Sequence, residues 1–553
     1  MIKHTLLRIL MILIFVAGFG LNLFSQISQG GQPATTKFLI SNSIYPVFNY
    51  PAPDVERLLA EDTETDKYGI PMRFAECLPA SINLAKDGTW LNMPDGSRVC
   101  RLALSSENAQ ALLLYYEKFF IPEGGELFLY SADHWQVIGA FTHETNPKGG
   151  AFATEMIHGD KVILEYVESY GLKEKPEILI NEVGYVYRTA DNLNGTRGFG
   201  SAGWCEVNVN CSEGNEWQDQ KNAVCRMIVK SGTSSVWCSG STVNNTRQDG
   251  TPYLLTADHC GPNATPSEMN TWIFYFRYEG PDCENPTSDS AFKSYTIVGA
   301  SKVAAAGGSG VASDFKLVKL NQVVPENYNP YFIGWSIKGI TSPEGVTIHH
   351  PQGDIRKIST YTTPLISSNW GNIANTHWEV VWSATENGHG VTEGGSSGCP
   401  IFNDEGRLLG QLTGGDASCT VLLGPDLYGK FSYSWDKVGN ADTLQLKPWL
   451  DPDNTGAEEL DGISIVGIHN PEKENTLAVY PNPTTGLVYI DAGNFQGKLL
   501  SIEVFNILGE RIFVDNKTSS IGFISFDLSN ANAGVYLVKL VVDGEVYTAR
   551  VLR

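Results

Sequence analysis

The residues most able to do chemistry cluster in Glu393-Gly394-Gly395-Ser396-Ser397-Gly398-Cys399-Pro400, followed by the apolar pair Ile401-Phe402. A serine held between glycines in a tight turn can present its hydroxyl and its own N–H to one substrate carbonyl, which makes Ser397 a candidate nucleophile. A serine hydroxyl needs a base, and the base needs a residue to orient it. Tyr253-Leu254-Leu255-Thr256-Ala257-Asp258-His259 ends an apolar strand on a histidine, and Asp314 precedes the alternating run Phe315-Lys316-Leu317-Val318-Lys319-Leu320. In this reading Ser397 attacks, His259 carries the proton, and Asp314 fixes the imidazole tautomer. Asp258 is the rival orienting acid, but adjacent side chains point apart. Ser396 is the rival nucleophile, but only Ser397 holds the Gly-x-Ser-Gly-x-Pro register. The N–H groups of Gly395 and Ser397 form the expected oxyanion hole. An esterase elbow would place the serine ahead of its acid and histidine, whereas here it comes last.

The elements that must position these residues are strands. The chain has 553 residues, 56 Gly, 27 Pro and 42% hydrophobic residues, which fits several strand-rich domains and little long helix. A net charge of -22 argues against a nucleic-acid partner, since phosphate binding wants a basic face. Lys3, His4 and Arg8 precede an apolar stretch from Ile9 to Phe24, the layout of a cleaved signal peptide (1–25) that leaves no membrane span in the mature protein. Residues 26–197 read as a β-rich propeptide without a catalytic constellation, ending in the polar run 191–200 that reads as a cleavable linker. A permanent accessory domain is the alternative. Residues 198–463 hold the chemistry, 464–476 form a second linker, and 477–553 form a separate alternating β unit.

The 10 cysteines are an even number behind an export signal, so disulfides are expected. No zinc-type spacing occurs. His349-His350 points to opposite faces and reads as structural, and the Asp451-Pro452-Asp453 stretch has Gly462 at position twelve, so neither predicts a metal site. No cofactor is expected.

Several motifs occur in order: Cys205-x5-Cys211, Val236-Trp237-Cys238-Ser239-Gly240-Ser241, Leu255 to Gly261, Ala312-Ser313-Asp314-Phe315, Ile348-His349-His350-Pro351, Gly394 to Pro400, and Leu409 to Gly415. Together they resemble secreted bacterial lysyl endopeptidases of the chymotrypsin-like family. That resemblance implies an all-β fold with a double β-barrel protease domain. It also implies the bridges Cys205–Cys419, Cys211–Cys283 and Cys238–Cys260. Cys225 and Cys399 are then left to each other, as are the distant Cys77 and Cys100.

The position six residues before the nucleophile, an aspartate in ordinary trypsins, is Val391 here. In lysyl endopeptidases the charge comes from an aspartate after the Gly-Gly segment, which Pro425-Asp426-Leu427-Tyr428-Gly429-Lys430 matches. Asp426 is therefore the expected specificity residue, with Thr413, Gly414 and Gly415 beside it on the substrate-binding edge and Asp416 as the runner-up. Thr413 stands where relatives have a histidine. The C-terminal unit, with Val479-Tyr480-Pro481-Asn482-Pro483 and Gly534 to Leu540, resembles the sorting domain of Bacteroidetes type IX secretion and is expected to be a small β-sandwich. The expected function is a secreted or cell-surface serine endopeptidase, made as a zymogen and cutting proteins or peptides after Lys, with the secretion machinery as partner. A protease with dual Lys/Arg preference, or a surface binding protein without turnover, is the alternative.

Overall fold

The computed structural model describes residues 28–465, apart from position 29 and short stretches at 39–43, 67–70, 189–198, 287–294 and 307–311, and most of 479–553. The expected signal peptide, the run 191–197 and most of the second linker lie outside the described residues. The fold is mostly β. Among the described residues no helix is long and apolar enough to cross a membrane. The chain divides into two compact units, one ending at Ile465 and the other beginning at Val466.

In the first unit, residues 28–188 contribute a six-stranded sheet and four strands of a larger one: β1 (Arg73–Asn83), β2 (Ala111–Phe120), β3 (Phe152–His158) and β4 (Glu177–Val186). The first barrel follows as β5 (Val224–Ser231), β6 (Ser234–Thr242), β7 (Tyr253–Ala257), β8 (Ile273–Tyr275), β9 (Thr296–Val298), β10 (Ala300–Ala305) and β11 (Phe315–Leu320). Pairing runs β9-β8-β5-β6-β7-β11-β10, nearly closing the barrel, and the free side of β6 takes β1. The N-terminal region and the first barrel thus share one 11-stranded sheet. They share a core as well, with Phe74, Tyr115 and Val183 in the same apolar cluster as Met227, Trp237 and Phe274. An open β6 edge would leave a row of unpaired backbone groups, and β1 supplies their partners.

The second barrel contains β12 (Gly345–His349), β13 (Lys357–Tyr361), β14 (Ile366–Trp370), β15 (Ile373–Val380), β16 (Pro400–Phe402), β17 (Leu408–Gly415) and β18 (Asp426–Lys430), in the order β13-β12-β16-β17-β18-β15-β14. Its core is built on Tyr361, Trp378, Trp382, Ile401 and Tyr428. A second cluster, including Leu255, Phe315, Ile348 and Trp335, joins elements of both barrels, so the two cannot slide without exposing apolar surface.

The C-terminal unit has a three-stranded and a four-stranded sheet around Val488, Ile490, Val504, Phe526, Val538 and Leu540. Along Val535–Val542 burial alternates residue by residue, as the sequence period requires.

Candidate active site

β7 ends at Ala257, and one 3-10 turn, Asp258–Cys260, carries His259 out of the barrel. The disulfide between Cys238 and Cys260 ties that turn to β6. Asp314, just ahead of β11, sits at φ 56, a left-handed conformation uncommon for a residue with a side chain. Its carbonyl accepts from Asp258 N at 2.9 Å. Its carboxylate accepts twice from His259, from the backbone N at 3.0 Å and at Nδ1 at 2.5 Å. Holding Nδ1–H this way leaves Nε2 as the free acceptor. Asp258 pairs with Lys316 at 3.0 Å instead.

The loop with Ser397 is fixed to the first barrel chiefly through Ser239 of β6. Ser239 N donates to Ser397 O at 2.8 Å, and Ser239 Oγ donates to Gly395 O at 3.0 Å while accepting from His350 N at 3.1 Å. Gly398 is at φ 83, and a Cβ there would lie 2.2 Å from Thr256 Oγ1. Gly395 is at φ 96, and a Cβ there would lie 2.9 Å from His350 O. Only glycine allows both the torsion and the approach at these positions. Among the described residues, neither Gly395 N–H nor Ser397 N–H donates to another group, so both are donors without an acceptor. His259 Nε2 likewise has no partner among the described residues, and no hydrogen bond engages Ser397 Oγ. Hydrogen bonds between a candidate base and a candidate nucleophile are often long at rest and tighten with substrate.

Ser396 is committed elsewhere. Its Oγ bonds His349 Nδ1 at 2.7 Å and accepts from Glu393 N at 3.2 Å. Burial pushes the His349 pKa down to about 3, and His350 is pushed well below the ordinary range for the same reason, so both rings are neutral struts. The Asp451 carboxylate accepts from Thr246 Oγ1, Thr455 N and Oγ1, and Gly456 N, and so caps a turn.

Asp426, the first residue of β18, is 1% exposed. Its Oδ2 accepts from Trp382 Nε1 at 2.6 Å and from Thr392 Oγ1 at 2.7 Å, whereas Oδ1 has no hydrogen-bond partner among the described residues. Burial raises its pKa to about 6, against the pull of Trp382, Thr392 and the nearby Ala417 N–H. A Cβ on Gly415 would lie 2.2 Å from Oδ1, so the glycine keeps the face of that oxygen clear. Asp416 is exposed by contrast. Thr413 Oγ1 bonds His377 Nε2 at 3.0 Å, and the His377 ring stacks on Trp370. Burial lowers the His377 pKa to about 4, with the Asp314 charge acting in the other direction. Trp382, Thr392 and His377 carry no motif that singles them out in the sequence, and Ser239 lies within the Val236–Ser241 motif without any mark of its role in holding the Ser397 loop.

Disulfides join Cys205 to Cys419, Cys211 to Cys283 and Cys238 to Cys260. The two remaining expected bridges are absent, and Cys77, Cys100, Cys225 and Cys399 are buried thiols. Cys225 lies on β5 in the first barrel. Cys399 packs in the second, with its Sγ 3.2 Å from Thr347 Oγ1 and 3.5 Å from Tyr428 OH. Cys77 meets Ser235 Oγ at 3.5 Å, while Cys100 sits in the other N-terminal sheet with Leu84 O at 3.2 Å. Burial pushes the Cys77, Cys100 and Cys399 thiols up to about 12, so the thiolate needed for exchange does not form.

A barrel pair with a histidine–aspartate contact beside a glycine-flanked serine is the architecture of a serine endopeptidase, and this chain is one. Residues 199–429 match the family model described as lysyl endopeptidase, C-terminal domain, and residues 478–552 match that of the secretion system C-terminal sorting domain. The chain thus carries a lysyl endopeptidase domain and, behind it, the tail of proteins exported by type IX secretion to the cell surface or the medium. Similar solved structures include the Rv3671c protease from M. tuberculosis in its active form, at 12% identity over 38% of this chain and 76% of that one, TM-score 0.25. They also include the thermostable serine protease AL20 from an extremophilic microorganism, at 12% identity over 38% of this chain and 92% of that one, TM-score 0.28. A third is the protease Anisep from Arthrobacter nicotinovorans, at 16% identity over 38% of this chain and 90% of that one, TM-score 0.28.

Proposed function

We propose that this chain is an exported zymogen whose mature enzyme hydrolyses peptide bonds after lysine, with His259, Asp314 and Ser397 as its catalytic residues. His259 Nε2 takes the Ser397 proton as Oγ adds to the scissile carbonyl. Asp314 stabilises the imidazolium so formed, and the proton then passes to the leaving amine. Gly395 N–H and Ser397 N–H receive the developing oxyanion, each typically worth about 3 kcal/mol in such sites. A water, activated by the same histidine, releases the acyl group.

The observation that carries the lysine assignment is the half-satisfied carboxylate of Asp426. Trp382 and Thr392 saturate Oδ2, and Oδ1 is buried without a partner. One open oxygen suits a compact ammonium. A guanidinium gains most from two parallel bonds to both oxygens, which this arrangement denies. An apolar side chain would leave the carboxylate unpaired at a cost of several kcal/mol. The test is kcat/KM on matched peptides with Lys, Arg or Leu before the scissile bond. Lysine should lead both, Asp426→Ala should abolish that lead, and fluorophosphonate labelling of Ser397 should survive. Equal rates on Lys and Leu would sink the assignment. Maturation near Gly198 and loss of the tail after Ile465 belong to the same reading, and intact mass with N-terminal sequencing of secreted material tests them.

A further inference from the structure

β1 does more than extend a sheet. It pairs with β6 at Val236↔Arg73, Ser235↔Ala75 and Ser234↔Glu76, and Trp237 N donates to Met72 O at 2.9 Å. Trp237 is the residue next to Cys238, whose bridge carries the His259 turn, and Ser239 beyond it holds the Ser397 loop. At its start the paired strand reaches that loop itself, where a Cβ on Gly394 would lie 3.2 Å from Met72 Cβ. Phe74 stacks on Trp237 at 4.0 Å, Tyr115 OH meets Ser235 Oγ at 2.7 Å, and Glu182 pairs with Lys230 at 3.0 Å.

The side of the scissile bond follows from the other barrel. Asp426, with the Gly414-Gly415 edge beside it, takes the residues that become the acyl group, so a peptide crossing Ser397 must leave toward the first barrel. The open edge it meets there is β6. An extended peptide recognises such an edge by main-chain pairing, and β1 already makes that pairing.

We infer that Met72–Glu76 occupies, in the uncut chain, the β6 edge on which the enzyme takes the substrate residues that follow the scissile bond. The inference rests on the peptidase reading above. The N-terminal region then blocks one half of the cleft and leaves the half around Asp426 open. Ser397 can still be acylated by a small lysine ester, while a peptide extended past its lysine is excluded.

The test uses the intact full-length chain, its integrity checked by mass, with a blocked lysine methyl ester and a peptide carrying four residues after lysine. Met72→Asp places a carboxylate against the loop of Glu393 and should free the edge, and Glu182→Lys should weaken the same docking from a second point. Relative to ester turnover, the intact chain should cleave the peptide about 100-fold more slowly than either variant, the loss expected when two or three backbone hydrogen bonds cannot form. Ester turnover lost in the intact chain but present in the variants would overturn the half-block in favour of a wholly closed cleft. A peptide-to-ester ratio unchanged by both variants would overturn it too. An ester inert in all three chains would refute the catalytic reading, and the occupancy with it.

Discussion

Asp426→Asn should move stability and activity in opposite directions. Asparagine keeps an acceptor for Trp382 Nε1 and Thr392 Oγ1 but removes the charge that burial opposes. The carboxyl titrates at about 6 in the folded chain. The ordinary value for an unfolded aspartate is about 4, a gap that corresponds to about 3 kcal/mol. The folded-state pKa is the higher one, so the folded form binds the proton more tightly. The penalty is therefore complete above pH about 6, shrinks as pH falls toward about 4, and is absent below it. Thermal unfolding of the first unit, measured in a Ser397→Ala background to prevent self-digestion, should shift up by several degrees at pH 7.5 and not at all at pH 3.5. In the active background the same substitution should cut kcat/KM on lysine peptides by at least about 100-fold, because a buried ammonium loses its counter-charge. A variant no more stable at pH 7.5, or equally stabilised at pH 3.5, would refute the electrostatic account. A stabilised variant with normal lysine turnover would instead remove Asp426 from the specificity pocket.

Thr392→Val frees one lone pair of Asp426 Oδ2 and should narrow the Lys-over-Arg ratio on matched peptides, with an unchanged ratio counting against the one-oxygen argument. Across pH the Lys-to-Leu preference should decline as pH falls through about 6, where Asp426 takes up its proton, independently of any loss of kcat from His259. Gly395→Ala must distort a φ of 96 and press on His350 O, so kcat should fall by about 100-fold or more while lysine-peptide KM changes little. Alkylation without reduction should add four groups to the unfolded chain and none to the native one, because Cys77, Cys100, Cys225 and Cys399 are buried thiols; mass spectrometry finding no uptake on unfolding would restore the two missing bridges.

What the sequence made legible was local. His259, Asp314 and Ser397 each close or open a short strand within a run of matching neighbours, so a few residues on either side identify them. The partners of Asp426 are not local. Trp382 follows β15, Thr392 precedes the Ser397 loop, and only the curl of the second barrel brings both onto Oδ2. Counting cysteines misled for a related reason. An even number behind an export signal predicts pairing, but Cys225 faces the interior of one barrel and Cys399 that of the other, where each serves as a small apolar side chain.

The N-terminal region shows most clearly what a period-two pattern cannot say. Alternation fixes which face of a strand is buried, but it carries no mark of what lies along the strand's edge. The run from Arg73 to Asn83 reads as part of a separate propeptide, yet it is hydrogen-bonded between β4 on one side and β6 on the other. Main-chain pairing asks little of side chains, so the same β6 edge can take one segment of its own chain or the tail of a substrate. Folding the N-terminal region onto that edge also covers Trp237, Phe74 and Met72, apolar surface that would otherwise face water beside the site. If that edge is the one substrate uses, restraint of the enzyme and shielding of β6 are one contact, and whatever releases the first must also uncover the second.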